Sequence, residues 1–350
     1  MTAAEVIAFV LLLGVAAYAC AGGTDYGAGF WDLFAGGAER GKRPRWLIDH
    51  AMAPVWEVNN VWLIFVFVIM WTGFPVLFQT VFSAMWLPLA LAAVGMVLRG
   101  AGFALRKPAR RLARRRVYGA VFAIASLITP YFLGAAVGGI ASGRAAPGTE
   151  ASAHAWANPT SLFFGLLTIA ATAFLGAVFL SSDAARFDAP DLVGYFRRRA
   201  LGSLVVVVLL GVAAFIVTRG DAPHIWRGLT HGAGLVFVIV AVVGALGTGW
   251  LLLRAGGRWS RITAVAMVAA AVLAWGLAQR PYLIPTSLTV QEAAGDPTTL
   301  KWLGFVTLVA VILVFPAVFL LYWLDTHGEL ESLTDADLRQ GGTGSQADGD

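Results

Sequence analysis

Long uncharged apolar runs, separated by short basic or glycine- and proline-bearing loops, organise nearly the whole chain. The first covers residues 6–24, between Glu5 and Asp25. Next comes an uncharged stretch at 58–98, about twice what one crossing needs, since ~20 helical residues span ~30 Å of hydrocarbon. Thr72-Gly73-Phe74-Pro75 supplies turn chemistry in its middle, dividing it into spans 58–74 and 80–98. The remaining runs are 117–140, 160–180, 201–218, 229–253, 262–279 and 302–324. In lipid every backbone polar group must be satisfied within its segment, so runs of this length are helices. The pattern predicts an all-α integral membrane protein, a bundle of about nine transmembrane helices over residues 1–324. Residues 141–159, with Gly143, Pro147 and Gly148, read as a loop. From Asp325 to Asp350 the chain is polar, acidic and rich in glycine; such a tail buries no core and is expected to be disordered. Ala17-Tyr18-Ala19 has the look of a signal-peptide cleavage site, but no Lys or Arg precedes the first run, so it is read as a span.

Composition agrees with a bilayer as solvent. Hydrophobic residues make up 59% and charged residues 13% of the chain, where soluble domains carry about 25% charged. The single cysteine, Cys20, lies in the first apolar run; it forms no disulfide within the chain and is no metal site, which leaves a packing role. A net charge of +5 would suit nucleic acid, but the basic residues occupy short loops between apolar runs and instead mark orientation. Arg40, Lys42, Arg43 and Arg45 fall in the first loop, and Arg99, Arg106, Lys107, Arg110, Arg111, Arg114, Arg115 and Arg116 in the third. Arg186, Arg197, Arg198 and Arg199 follow in the fifth, Arg254, Arg258 and Arg261 in the seventh, and Arg339 in the tail. Only Arg144, Arg219, Arg227, Arg280 and Lys301 lie on the opposite side, so one side holds 20 of the 25 basic residues. The positive-inside rule then puts the N-terminus outside and the C-terminus in the cytoplasm.

Two acids stand at membrane boundaries in this arrangement. Asp25 closes the first run within Gly22-Gly23-Thr24-Asp25-Tyr26-Gly27-Ala28-Gly29, where glycines permit close approach or a helix break. Glu57 follows Pro54 and opens the second helix, with Trp56, Trp62, Asn59 and Asn60 beside it. Both acids are predicted at the cytoplasmic edge. An acid at a helix N-terminus complements the macrodipole, whereas ionisable groups at membrane depth beside amides hold water and relay protons; both readings stay open on position alone. Of His50, His154, His224, His231 and His327, only His231 lies in a predicted span, near its external end, and a packing role there is favoured over haem ligation. Pro88, Pro130 and Pro316 are expected to interrupt helices, while Gly134/Gly138 and Gly228/Gly232 are spaced for close helix packing. Trp156, Trp226, Trp302 and Trp323 read as interfacial anchors. No phosphate loop, zinc-protease or nucleophile-elbow motif occurs, and the chain has no self-contained catalytic constellation.

The glycine run 22–29, followed by Ala53-Pro54-Val55-Trp56-Glu57-Val58-Asn59-Asn60-Val61-Trp62-Leu63-Ile64, resembles the signature of cytochrome bd oxidase subunit II. That family reads Asp-Gly-Phe-Asp-x-Gly-x-Gly and then Pro-x-Trp-Asp-Gly-Asn-Glu/Gln-Val-Trp-Leu. Phe82-Ser83-Ala84-Met85-Trp86-Leu87-Pro88 leading to Arg99, Asn158-Pro159 and Pro281-Tyr282-Leu283-Ile284-Pro285-Thr286-Ser287 extend the likeness from the first helix to the ninth. Gly22 stands where the family has its first acid, and Val58-Asn59-Asn60 replaces Gly-Asn-Glu. The resemblance implies a cell-membrane heterodimer of bacteria or archaea. A haem-bearing subunit I oxidises quinol, and this chain acts only with that partner. It also implies no haem and no metal in this chain, a proton path through Asp25, Glu57, Asn59 and Asn60, motif residues Gly27, Gly29, Trp56, Trp62, Ser83 and Arg99, and room for a bound quinone. The competing reading is a transporter or permease with its site among broken helices; acids at the membrane edge and an uncharged midplane favour the oxidase subunit.

Overall fold

The structure is a computed structural model that describes residues 2–37, 39–52, 59–106, 111–148, 153–254 and 257–326. Trp56, Glu57 and Val58, Lys107 and Arg110, and the expected tail from His327 onward lie outside the described residues. Two compact units result, residues 1–300 and residues 301–350.

In the first unit, α1 runs Ala3–Leu33, opened by a capping box in which the Thr2 hydroxyl accepts from the Glu5 amide and the Glu5 carboxylate accepts from the Thr2 amide. The sequence ends this span at residue 24 with Asp25 at its terminus. The structure corrects that: α1 continues unbroken through the glycine run, and Asp25 lies two turns inside it. The glycines serve close packing. A Cβ at Gly27 would collide with the Thr172 carbonyl and the Gly176 backbone, and one at Gly29 with the Ser126 side chain. Each glycine costs a helix about 1 kcal/mol relative to alanine, and contact at backbone distance offsets this in membrane bundles.

The loop after α1 carries α2 (Lys42–Met52). The uncharged stretch then folds as three helices rather than a two-helix hairpin: α3 (Val61–Gly73), α4 (Pro75–Ala84) and α5 (Trp86–Arg106). At ~1.5 Å per residue α3 is about 20 Å long, and α4 leaves it at a bend of 117°. Pro75 sits at the first position of α4 and Pro88 in the first turn of α5, where a missing N–H removes no helix bond. These prolines start helices rather than interrupt them.

The bundle continues with α6 (Leu112–Ala141), α7 (Pro159–Arg186), α8 (Pro190–Asp221), α9 (Pro223–Thr230), α10 (Gly232–Leu253) and α11 (Arg258–Ala278). Pro130 lies inside a continuous α6. The predicted span 229–253 is divided at His231, which the structure places at the start of α10, exposed, with Nδ1 near the Arg227 carbonyl oxygen at 3.0 Å and the Thr230 hydroxyl at 2.9 Å. The two glycine pairs behave differently. Gly134 and Gly138 both press α6 onto α7, against Phe164, Thr168 and Ser161. Gly228 packs on the Ala278 backbone, whereas Gly232 takes φ +60°, a left-handed turn that suits glycine. A short hairpin of β1 (Tyr282–Ile284) and β2 (Leu288–Thr289) follows, pairing Tyr282 with Thr289, and leads into α12 (Val290–Ala293).

Packing order fixes what can meet. α1 packs on α7, α6, α11 and α3, while α5 packs on α6 and α7 on α8. The main core joins Phe174, Leu175, Val178, Ala200, Ala264 and Met267 of α7, α8 and α11. Outward faces of α8 and α10 stay apolar and exposed, with Leu209, Ile216, Val243 and Leu246 among them, as lipid-facing helices require. The last helix, α13 (Pro297–Thr326), keeps Pro316 inside it without a break. Its part from Lys301 onward forms the second unit, an apolar helix with Trp302 edge-on to Phe305. Among the described residues eight helices are long and apolar enough to cross a membrane, and counting the bent α3–α4 pair as one span gives nine.

Candidate functional site

The glycine-lined interior of α1 buries a chain of polar side chains where its neighbours come closest. Asp25 is 5% exposed, and its Oδ2 accepts from the Asn59 side-chain amide at 2.7 Å. Asn59 is itself buried and sits just ahead of α3; the Asn60 carbonyl accepts from the Leu63 and Ile64 amides and begins that helix.

Arg99 of α5 is the adjoining cation. It is 4% exposed and lies within Coulombic range of Asp25. Its guanidinium stands over the Tyr26 ring (4.8 Å to the centroid) and the Phe122 ring (5.3 Å). Its Nε donates to the Ser126 hydroxyl at 3.2 Å, and that hydroxyl donates to the Phe122 carbonyl at 2.8 Å. The Tyr26 and Tyr18 hydroxyls are hydrogen-bonded at 2.9 Å. Charge, ring faces and a serine thus fix a buried arginine in one pose, the geometry that suits a planar guanidinium.

A second polar knot lies two turns further along α1. Asp32 is 3% exposed; its Oδ2 accepts from Arg106 Nη1 at 2.7 Å and its Oδ1 from Arg45 Nε at 2.9 Å. Arg45 also donates to the Gly36 carbonyl at 2.7 Å, and Asp49 lies 3.7 Å from Arg106. The sequence reading missed Asp32 and counted Arg45 and Arg106 only as loop charges. The spacing was the available signal: Asp25 and Asp32, like Arg99 and Arg106, are seven residues apart, which returns each to the same helix face.

The ion pairs seen among the described residues join loops that the charge pattern assigns to one side. At one end Arg144 grips Asp221 through both terminal nitrogens while the Thr160 amide and hydroxyl donate to the same carboxylate, and Glu5 approaches Arg280 at 3.6 Å. The hydrogen bonds that Arg144 donates to Asp221 raise its pKa. At the other end lie the Asp32 knot, Arg43–Asp191 (2.7 Å) and Arg261–Asp183.

Among the remaining motif residues, Gly27 and Gly29 serve the helix contacts described above. Trp62 is half-buried with Phe65 edge-on at 6.3 Å, and Ser83 is exposed in α4. The structure brings Asp25, Asn59, Gly29 and Arg99 together and leaves Ser83 apart. Trp156 packs on a small buried cluster around Met85 and Ala155. No group of three His, Cys, Asp or Glu residues close enough to hold a metal occurs among the described residues. Cys20 is a buried free thiol in the main core.

A cavity of about 630 Å³ lies between α1, α3, α4, α6, α7 and α11. Its walls are apolar, with Tyr18 and Tyr26 in its lining and Glu5, Arg280 and Gln291 elsewhere on its wall. Trp275 Nε1 and Gln279 Oε1 belong to cavity-lining residues, are buried, and have no hydrogen-bond partner among the described residues.

Similarity to known proteins covers nearly the whole of this architecture. The chain is 24% identical to the cytochrome bd-I ubiquinol oxidase subunit 2 of Escherichia coli strain K12, over 91% of this chain and 94% of that protein. A bd oxidase structure from Geobacillus thermodenitrificans superposes with a TM-score of 0.76 at 24% identity, covering 93% of this chain and 98% of that one. Residues 3–325 match the family description "Cytochrome bd terminal oxidase subunit II", and the chain belongs to that family.

Proposed function

We propose that this chain is the haem-free subunit of a cytochrome bd quinol:oxygen oxidoreductase, active only with a haem-bearing subunit I, and that it passes cytoplasmic protons toward that partner. The observation that carries the proposal is Asp25: a carboxylate buried in a transmembrane helix, hydrogen-bonded to Asn59 at 2.7 Å, with Arg99 beside it. An ionisable group that costs so much to bury is retained where it handles charge. Oxygen reduction consumes protons, and drawing them from the cytoplasm makes turnover electrogenic by about 2.3 kcal/mol per charge per 100 mV. Asp25 and Asn59, with Asn60 and Glu57 from the adjoining signature, are the relay. Gly27 and Gly29 let neighbouring helices close around it.

The chain is a multi-pass protein of a family that sits in the bacterial inner membrane. The loop charges orient it with the N-terminus outside and the C-terminus in the cytoplasm; a C-terminal reporter active only in the cytoplasm should give signal, and a silent, well-expressed fusion would reverse the orientation. The haems belong to the partner. Support comes from the histidines, since His50, His154 and His231 are exposed and His224 lies in the first turn of α9. A quinone or its quinol fits the apolar cavity: the Trp275 N–H, which has no partner among the described residues, would donate to one of its oxygens, and the Gln279 carbonyl would accept from a hydroxyl of the quinol form; when bound, it would supply two-electron redox chemistry. The test is purification. The tagged chain should co-purify with a haem-bearing membrane protein, while the chain expressed alone should show no Soret band. A stoichiometric Soret band in the single chain, lost on His231→Ala, would overturn the assignment.

A further inference from the structure

Asp25 and Asp32 of α1, and Arg99 and Arg106 of α5, form two rungs about two helical turns apart, roughly 10 Å along the helix. The Asp32–Arg106 rung is closed by a direct bond of 2.7 Å. The Asp25–Arg99 rung is open: Asp25 accepts from Asn59, and Arg99 Nη2 is buried with no hydrogen-bond partner among the described residues. Arg99 is not free to swing toward another acceptor, because the Tyr26 and Phe122 rings and the Ser126 hydroxyl hold its guanidinium. A charged N–H that is buried and unpaired is costly enough that native proteins satisfy it.

We propose that Arg99 Nη2, together with the Asp25 carboxylate, binds an ordered water that bridges the open rung. The chemistry selects water. One cation and one carboxylate already balance, so a further anion would add an uncompensated charge in lipid-embedded protein. The partner must accept from Nη2 and donate to Asp25, and it must be small, since the Tyr26 and Phe122 rings crowd the guanidinium. Water does all three with its ordinary two to four bonds. Arg99 is then a positioning residue: it holds the water against the acid and does not itself exchange the proton. This role rests on the relay reading of Asp25, whereas the site itself rests on the geometry alone.

A structure of the assembled oxidase at about 2 Å resolution tests the site directly. A water peak within ~3 Å of both Arg99 Nη2 and an Asp25 oxygen is expected. Nη2 bonded instead to a protein carboxylate, or a dry rung, would overturn the inference whether or not Asp25 relays protons. The role is tested by Arg99→Lys in complexes of wild-type haem content. Lysine keeps the charge but loses the stacked fork, and proton uptake should fall on the order of 10- to 100-fold, as misplacement at a reacting group does. Wild-type uptake in that variant overturns the positioning role. If the variant does not assemble, the density in the unaltered complex decides the site. A bridging water combined with full turnover in Asp25→Asn would leave the site standing and remove the relay.

Discussion

Two carboxylates on one face of α1 meet two arginines on one face of α5, yet the rungs have opposite characters. Asp32 is gripped by Arg106 and Arg45, and with Arg45 capping the Gly36 carbonyl it ties the end of α1 to α2 and α5. Asp25 instead takes an amide bond from Asn59, and its arginine is held off by rings and a serine. Burial is equal within a few per cent for the two acids. Partner geometry therefore separates them: a carboxylate saturated by two guanidinium groups is a fastener, and one held by an amide, near an N–H without a partner among the described residues, has the geometry proposed for a relay. Sequence position alone does not distinguish the fastener from the acid proposed as the relay.

The comparison can be broken at its fastened end first. Asp32→Ala takes from buried Arg106 its directly bonded carboxylate and leaves only the longer contact to Asp49 at 3.7 Å among the described residues, a change of the kind that costs up to about 3–5 kcal/mol. The yield of assembled, haem-loaded complex should collapse, while turnover per haem in whatever assembles stays close to wild type. Normal assembly with lost turnover would exchange the roles of the two rungs. The signature acid next to Asn59 gives a second, smaller effect. Glu57→Gln should slow turnover severely in assembled complex and Glu57→Asp mildly, because a shorter carboxylate still reaches a neighbouring water. Equal rates in both would make Glu57 a helix-terminal charge, worth ~0.3–1 kcal/mol.

Exposed carboxylates calibrate the scale at its low end. Glu292 caps α12 through the Thr289 amide and hydroxyl, which hold its pKa below the ordinary range. A lowered native pKa means stabilisation that is present above the unfolded value of about 4.3 and is lost as pH falls through the native one. Glu292→Gln should lower the melting temperature slightly at neutral pH, and the difference from wild type should shrink as the pH falls below the unfolded value and through the lower native one. A difference that persists in acid would assign it to something other than this charge.

Membrane class and helix content were legible because a bilayer imposes span length and charge asymmetry on the sequence itself, as the runs at 117–140 and 160–180 inside α6 and α7 illustrate. Helix ends were less legible. Gly22–Gly29 reads as either a close approach or a break by local propensity, and the packing of Gly27 on Gly176 and Gly29 on Ser126 decides for close approach within a continuous helix. The sharp turn at Phe74 was signalled by Gly73 and Pro75, but the separate helix α4 was not, since an uncharged stretch has no polarity to mark a second break. At the site, Asp25, Asn59 and Arg99 were picked out by the motif, and their meeting required the fold. Tyr18, Tyr26 and Ser126 carry no charge and sit in apolar runs, so nothing in their spacing marks them as partners of Arg99.

Asp25→Asn in assembled complex with wild-type haem content isolates the relay, because asparagine keeps the shape and a bond to Asn59 but cannot take up and release a proton. Proton uptake coupled to oxygen consumption, measured in vesicles, should fall by on the order of 100-fold or more, the range for loss of a positioned proton-transfer group being ~10²–10⁴-fold. Wild-type uptake and turnover in that variant would contradict the account and make Asp25 a structural acid like Asp32.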